Sequence, residues 1–167
     1  MTPQQAFDQH HQAVYSFAWR LTHRRDIAED ITQEYFLAFI RAPHRFDPAK
    51  GSIKVFLFSI TRNLALKQYR DDRGELPLDG SERLAGNDPR ESIAISSAVA
   101  SAVASLPHLQ QEALILFEYE GVTLEEIAQI VGADIGTIKS RLHRGRERLR
   151  RILAEYRKEG NTHGTVR

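Results

Sequence analysis

Between Thr137 and Arg144 the chain carries Thr137, Lys139, Ser140, Arg141, His143 and Arg144 within eight positions. These side chains suit nucleic acid: arginine or lysine bonds guanine O6 and N7 or a phosphate, and a hydroxyl reaches bases or phosphates. Ile138, Leu142 and Leu149 recur among them at helical spacing, which buries one face and leaves the polar six on the others. Upstream, Thr123-Leu124-Glu125-Glu126 has the form of a capping box, in which the threonine oxygen and the Glu126 carboxylate each satisfy an exposed backbone N–H. A short helix from about Leu124 then turns Leu124, Ile127, Ala128 and Val131 inward and stops at Gly132. After the turn Gly132–Ile135 a long helix carries Ile138, Leu142, Gly145, Leu149, Ile152 and Leu153 on one side. Helix, glycine-containing turn, helix is the pattern that places the start of its second helix in the major groove. The run from Arg146 to Arg151 taken alone fits a solvated basic helix equally well; the capped helix and turn before it favour DNA.

Two other stretches carry functional residue types. Gly51 to Arg70 mixes aromatic rings with cations, the combination that stacks single-stranded bases and neutralises their backbone; the competing reading is ordinary core. Asp26 to Glu34 is densely acidic, either solvated surface or a protein-binding face. A search for enzyme chemistry finds nothing. His10 and His11 are adjacent and cannot share a helical face, and His23, His44, His108, His143 and His163 are scattered. No metalloprotease, phosphate-loop or nucleophile-elbow motif occurs. Without cysteine there is no disulfide framework and no thiolate ligand. No catalytic residue, metal ligand or cofactor is expected, and isolated histidines read as surface or packing residues.

The elements that position these residues are helices. Phe7, His10, Val14, Phe17, Ala18 and Leu21 form a stripe on a first helix over residues 6–21. Ile27, Ile31, Phe36, Leu37 and Ile40 form one on a second over 26–41. Pro43 and the Phe46–Gly51 stretch break the period. Ser52 then caps a third helix to about Arg70, with Ile53, Phe56, Leu57, Ile60 and Leu64 inward and Lys54, Phe58, Arg62, Lys67 and Arg70 opposite. From Asp71 to Ser92, three glycines, two prolines and no apolar period predict a linker. Ile95, Val99, Ala102 and Val103 mark a helix ending before Leu106-Pro107, and Pro107 suits the first turn of another that ends at Gly121.

At 167 residues, 41% apolar and 27% charged, the chain fits one ordinary domain or two small ones, neither with much core alone. The net charge of +1 conceals segregation: Lys139 to Arg151 holds seven cations and one acid, whereas Asp71 to Glu91 holds seven acids and three arginines. There is no apolar run long enough for membrane insertion, and MTPQQAFDQHHQ lacks the pattern of a secretory signal, so the cytoplasm is expected. The fold expected is all-α: two small helical domains joined by a flexible acidic linker, the C-terminal one containing a helix-turn-helix.

Three segments carry a family resemblance. DIAEDITQEYFLAFIR resembles region two of the extracytoplasmic-function (ECF) sigma factors of the sigma-70 family. GSIKVFLFSITRNLALKQYR resembles the segment that melts and reads the minus-10 promoter element, and LPHLQQEALILFEYEGVTLEEIAQIVGADIGTIKSRLHRGRERLR resembles region four, which reads the minus-35 duplex. The resemblance covers about Ala6 to Tyr156. It implies region two over 1–70, a linker over 71–92 threading the polymerase's RNA-exit path, region four over 93–157 and a frayed tail over 158–167.

By that resemblance Asp26, Glu29, Asp30, Gln33 and Glu34 contact core RNA polymerase. Arg45, Phe46, Lys50, Ser52, Lys54, Arg62, Asn63, Lys67 and Arg70 meet the minus-10 DNA, with Phe46–Ser52 lining a pocket for an extruded base. Gly136, Thr137, Lys139, Ser140, Arg141, His143 and Arg144 lie against the minus-35 duplex. The partners implied are core polymerase, promoter DNA and an anti-sigma factor, in a stress or envelope response. Phe56 stands where the family commonly has tryptophan, and the single tryptophan is Trp19. The rival is a helix-turn-helix regulator acting without polymerase, which has no use for Arg62 or Asn63.

Overall fold

The structure, a computed structural model, describes residues 2–73 and 94–162, all of whose regular elements are helical. Helix α1 spans Pro3–Thr22 and starts with a capping box: Thr2 Oγ1 accepts from the Gln5 N–H at 3.2 Å while Gln5 Oε1 accepts from the Thr2 N–H at 2.9 Å. It ends at His23, a left-handed residue with φ 54°, a conformation histidine tolerates better than most side chains. Helices α2 (Arg25–Arg41) and α3 (Ile53–Arg73) pack against α1, with a single 3-10 turn at Pro43–Arg45 after α2. Ser52 Oγ accepts from the Val55 N–H at 3.2 Å, the cap expected for α3.

Helix α4 spans Ala94–Ala104, and α5, His108–Leu114, continues into a π turn over Ile115–Tyr119. Helices α6 (Leu124–Val131) and α7 (Ile135–Thr162) form the helix-turn-helix, and α7 also packs on α4 and α5. The Thr123 capping box is present, and Gly132 ends α6 at φ 71°, where a β-carbon is disfavoured. Gly145 is buried in α7: a β-carbon there would lie 3.5 Å from Gln110 Cβ and 3.6 Å from Leu114 Cδ1. That closeness lets α7 cross α5.

The register of α2 differs from the expected stripe. Ile27, Ala28, Ile31, Tyr35 and Phe39 are buried, whereas Leu37 and Ile40 are 47% and 45% exposed. The i, i+4 row Ile27–Ile31–Tyr35–Phe39 is the one that faces α1 and α3, with Tyr35 and Phe39 buried in place of the expected Phe36, Leu37 and Ile40. In α3, Phe58 is buried together with Val55, Leu57, Thr61 and Ala65, while Phe56, expected as core, is only partly covered. The physical reason is that α3 packs on both sides, against α1 and α2 on one and α6 on the other. Helix α3 runs three residues beyond the expected Arg70.

The helical period of α7 carries through Lys158–Thr162, so this part of the expected frayed tail is helical. The remainder of the expected tail, 163–167, and 74–92 of the expected linker lie outside the described residues. One apolar cluster unites Phe17, Leu21, Tyr35 and Phe58 of the N-terminal half with Leu106, Ile115, Leu116 and Ile127 of the C-terminal half, in keeping with neither half having a large core of its own.

Candidate nucleic-acid interface

Helix α7 begins where Asp134 caps it: Asp134 Oδ1 accepts from the Thr137 N–H at 2.7 Å. Bonds from the Thr137 backbone and hydroxyl hold the Asp134 carboxyl below the usual range, so this cap is charged at neutral pH. From this start Gly136, Thr137, Ser140, Arg141 and Arg144 line one side of an open groove of about 740 Å³. Pro107, Leu109 and Gln110, at the start of α5, line the other side, and Arg148 extends the basic wall by one further turn. Lys139 and His143 are exposed on a neighbouring face, His143 Nε2 lying 3.7 Å from Glu147. Arg148 and Gln110 line the groove beyond the expected set: Arg148 stands a turn further along α7 than the expected residues, and Gln110 comes from α5, which local spacing could not bring to α7. Arg146 is structural: it pairs with Glu118 at 2.8 Å and lies over the Phe117 ring at 5.2 Å.

On the N-terminal domain, Asp26, Glu29, Asp30, Gln33 and Glu34 are all exposed along α2, and Leu37 and Ile40 continue the same outer surface. Asp26 pairs with Arg24 at 2.9 Å, which lowers its carboxyl, and Glu29 pairs with Arg25 at 3.2 Å. The loop before α3 is anchored by ring contacts: Phe46 lies tilted 5.5 Å from Phe56, which meets Phe39 edge-on at 6.1 Å. Phe56 therefore works as a bridge between the loop and the core. Arg45, Lys50, Asn63, Lys67 and Arg70 are exposed.

Three of the residues expected at minus-10 DNA meet partners in the C-terminal domain, Arg62 and Lys54 half-buried there and Ser52 still exposed. Arg62 Nε lies 2.9 Å from Glu112 Oε2, with side chains only 15% and 1% exposed. The N–H axis points off the oxygen, so this is an ion pair and not an aligned hydrogen bond. Lys54 Nζ donates to the Glu120 carbonyl, and Ser52 Oγ donates to Glu126 Oε2 at 3.4 Å. Around them Gln111 Nε2 meets His23 Nε2 at 2.9 Å, and Arg20 lies 3.7 Å from Glu120 and 4.3 Å over the Tyr119 ring.

Burial drives the Glu112 carboxyl upward, but His108, 3.3 Å away on the preceding turn of α5, and Arg62 outweigh it and hold it below the ordinary range. Burial raises the Glu120 carboxyl despite Arg20 and Lys54. The π turn matters here: by widening the end of α5 it carries Tyr119 and Glu120 onto α1 and α3. His108 takes the packing role among those expected of isolated histidines, buried against Glu112 at i, i+4 spacing. Among the described residues no cluster of histidine, aspartate and glutamate suits a metal, and no helix is long and apolar enough to cross a membrane.

A basic helix-turn-helix behind a helical domain with an acidic outer face defines a two-domain, DNA-binding class of protein, and comparison with known proteins narrows it. The sigma-70 region 2 family matches residues 6–75 and the sigma-70 region 4 family residues 96–149. The chain is 35% identical over 160 residues to the ECF RNA polymerase sigma factor SigE of Mycolicibacterium smegmatis, covering 90% of this chain and 61% of that protein. It is 35% identical over 144 residues to EcfG of Rhodopseudomonas palustris, covering 84% and 79% respectively.

Among solved structures, the sigma factor RpoE in complex with the anti-sigma factor NepR from Bartonella quintana superposes at a TM-score of 0.73. That match has 29% identity and covers 90% of this chain and 96% of RpoE. CnrH, in complex with the cytosolic domain of CnrY, shares the fold at a TM-score of 0.70 and 23% identity, over 92% of this chain and 88% of the other. The chain belongs to the ECF sigma factors of the sigma-70 family. It spans about three-fifths of the length of the mycobacterial relative.

Proposed function

We propose that this chain binds core RNA polymerase in the cytoplasm and directs it to a two-part promoter, performing no chemistry itself and needing no cofactor. Asp26, Glu29, Asp30, Gln33 and Glu34 form the face offered to the polymerase. Arg45, Phe46, Lys50, Ser52, Lys54, Arg62, Asn63, Lys67 and Arg70 hold the minus-10 strand, and Gly136, Thr137, Lys139, Ser140, Arg141, His143 and Arg144 read the minus-35 duplex. The observation that carries this reading is the pairing, on one chain, of an exposed acidic face on α2 with a capped basic helix bordering an open groove. A regulator that acts on duplex DNA alone has no need of the first. The assembly of RpoE with NepR supports an anti-sigma partner for this chain as well.

The test is association with sigma-free core polymerase. Replacing Asp30 and Gln33 together by alanine weakens that association by about tenfold or more, as expected for residues central to an interface, and leaves duplex DNA binding intact. Unchanged polymerase binding in that variant moves the helix-turn-helix regulator to first place.

A further inference from the structure

We propose that Gln110, on α5, is a positioning residue for DNA binding: its side-chain oxygen accepts from the Arg148 guanidinium when Arg148 takes a backbone phosphate. The proposal rests on the duplex-binding reading of α7 given above and adds to it a pair of residues outside the expected minus-35 set. Both line the groove between α5 and α7. Gln110 Oε1 is buried there without a hydrogen-bond partner. A buried acceptor in that state destabilises the free protein, so a donor that reaches it on binding DNA removes the penalty and strengthens the complex.

Helix geometry selects Arg148 as that donor. Gly145 faces Gln110: a β-carbon at Gly145 would stand 3.5 Å from Gln110 Cβ, so α7 places no side chain of its own in front of this part of α5. Arg141 and Arg148 flank Gly145 on the same face of α7, at i−4 and i+3. Side chains on a helix lean toward its N-terminus, which carries Arg141 away from the gap at Gly145 and carries Arg148 across it. A guanidinium presents N–H donors along both edges of a planar fork, so one edge turns to Gln110 while the other takes a phosphate oxygen.

The two contacts depend on each other. Arg148 is exposed in the free chain, and one bond to Gln110 does not outweigh the rotamer freedom that a long side chain loses on being fixed. A phosphate adds charge-assisted bonds to the outer edge and orders the guanidinium, after which the inner edge meets Gln110 with little further loss of freedom. Phosphate contacts fix register and carry no sequence information. The pair therefore tightens binding to any duplex and leaves base reading to the first two turns of α7.

The test uses the full chain and a labelled duplex of mixed sequence at low salt, because the contact is independent of sequence. Gln110→Met keeps the length of the side chain and removes the acceptor. Two opposite changes are expected. The midpoint of thermal unfolding rises by about 2 to 4 °C, since the bare buried oxygen is gone, while duplex affinity falls by about three- to tenfold, the range of one net hydrogen bond. A side chain that served only the fold would not move the two in opposite directions. In an Arg148→Ala background, Gln110→Met is expected to weaken binding no further and still to raise the midpoint. Gln110→Glu gives Arg148 an ionic partner within the chain and is expected to reduce the log–log salt slope by about one unit, as Arg148→Ala does.

Unchanged duplex affinity in Gln110→Met, an equal loss with and without Arg148, or a lowered midpoint overturns the proposal, as does a folded parent chain that binds no duplex. If the coupling appears as expected while the parent fails to associate with core polymerase, the sigma-factor reading falls and the pairing of Gln110 with Arg148 stands.

Discussion

The Thr137 backbone N–H donates to Asp134 Oδ1 at 2.7 Å, so one aspartate fixes the first turn of the helix on which the expected minus-35 residues stand. Two substitutions separate its roles. Asp134→Asn keeps an acceptor at the cap and removes a negative charge beside the groove, so duplex affinity holds or rises. Asp134→Ala frays the first turn and lowers affinity a few-fold. Fluorescence anisotropy on a labelled duplex checks both.

Arg144 and Arg148 stand on successive turns of the same wall. If each neutralises one phosphate, alanine at either position weakens binding to all duplex sequences alike and reduces the steepness of the salt dependence by about one unit in the log–log slope. Titrations at several salt concentrations measure that slope.

Tyr35 is fully buried with no partner for its hydroxyl, and burial pushes the phenol up to about 12. A buried hydroxyl without a hydrogen bond is a net cost, so Tyr35→Phe is expected to raise stability by about 1 kcal/mol in denaturant titrations. The pH dependence follows from the raised value. The folded state holds the proton more tightly than the unfolded state, whose phenol ionises near 10.0. Tyr35 therefore destabilises the fold progressively as pH rises from 10 through about 12. The phenylalanine variant lacks that component of alkaline unfolding.

The register of α2 gives a paired prediction. Leu37→Ser removes an exposed side chain and leaves stability within about 0.5 kcal/mol, whereas Phe39→Ala empties a fully packed site and costs about 3 to 5 kcal/mol. Reversal of that order in chemical denaturation contradicts the packing described for α2.

These two residues also show where the sequence was legible and where it was not. Signals confined to a few neighbouring residues could be read directly: Thr123 with Glu126, Gly132 after α6, and Ser52 before α3 each announced a helix end, because a cap depends on local backbone donors. In α2, Phe36, Leu37, Phe39 and Ile40 are all apolar, so hydrophobicity alone fits more than one face. Tyr35, whose hydroxyl suggests exposure, decided the register by packing against α1 and α3.

Arg62 and Glu112 lie too far apart in sequence for any periodicity to pair them. Arg62 read as a solvent-facing cation because the second packing face of α3 is created by the C-terminal domain. The family resemblance implied DNA surfaces but said nothing about which of their residues meet the C-terminal domain.

The most direct test of the sigma-factor account is transcription reconstituted from purified chain and sigma-free core polymerase on fragmented genomic DNA from the source organism, with transcript starts sequenced. The account predicts starts that share spaced minus-35 and minus-10 elements and that disappear when Asp30 and Gln33 are replaced. A folded chain that neither binds core polymerase nor produces specific starts contradicts it.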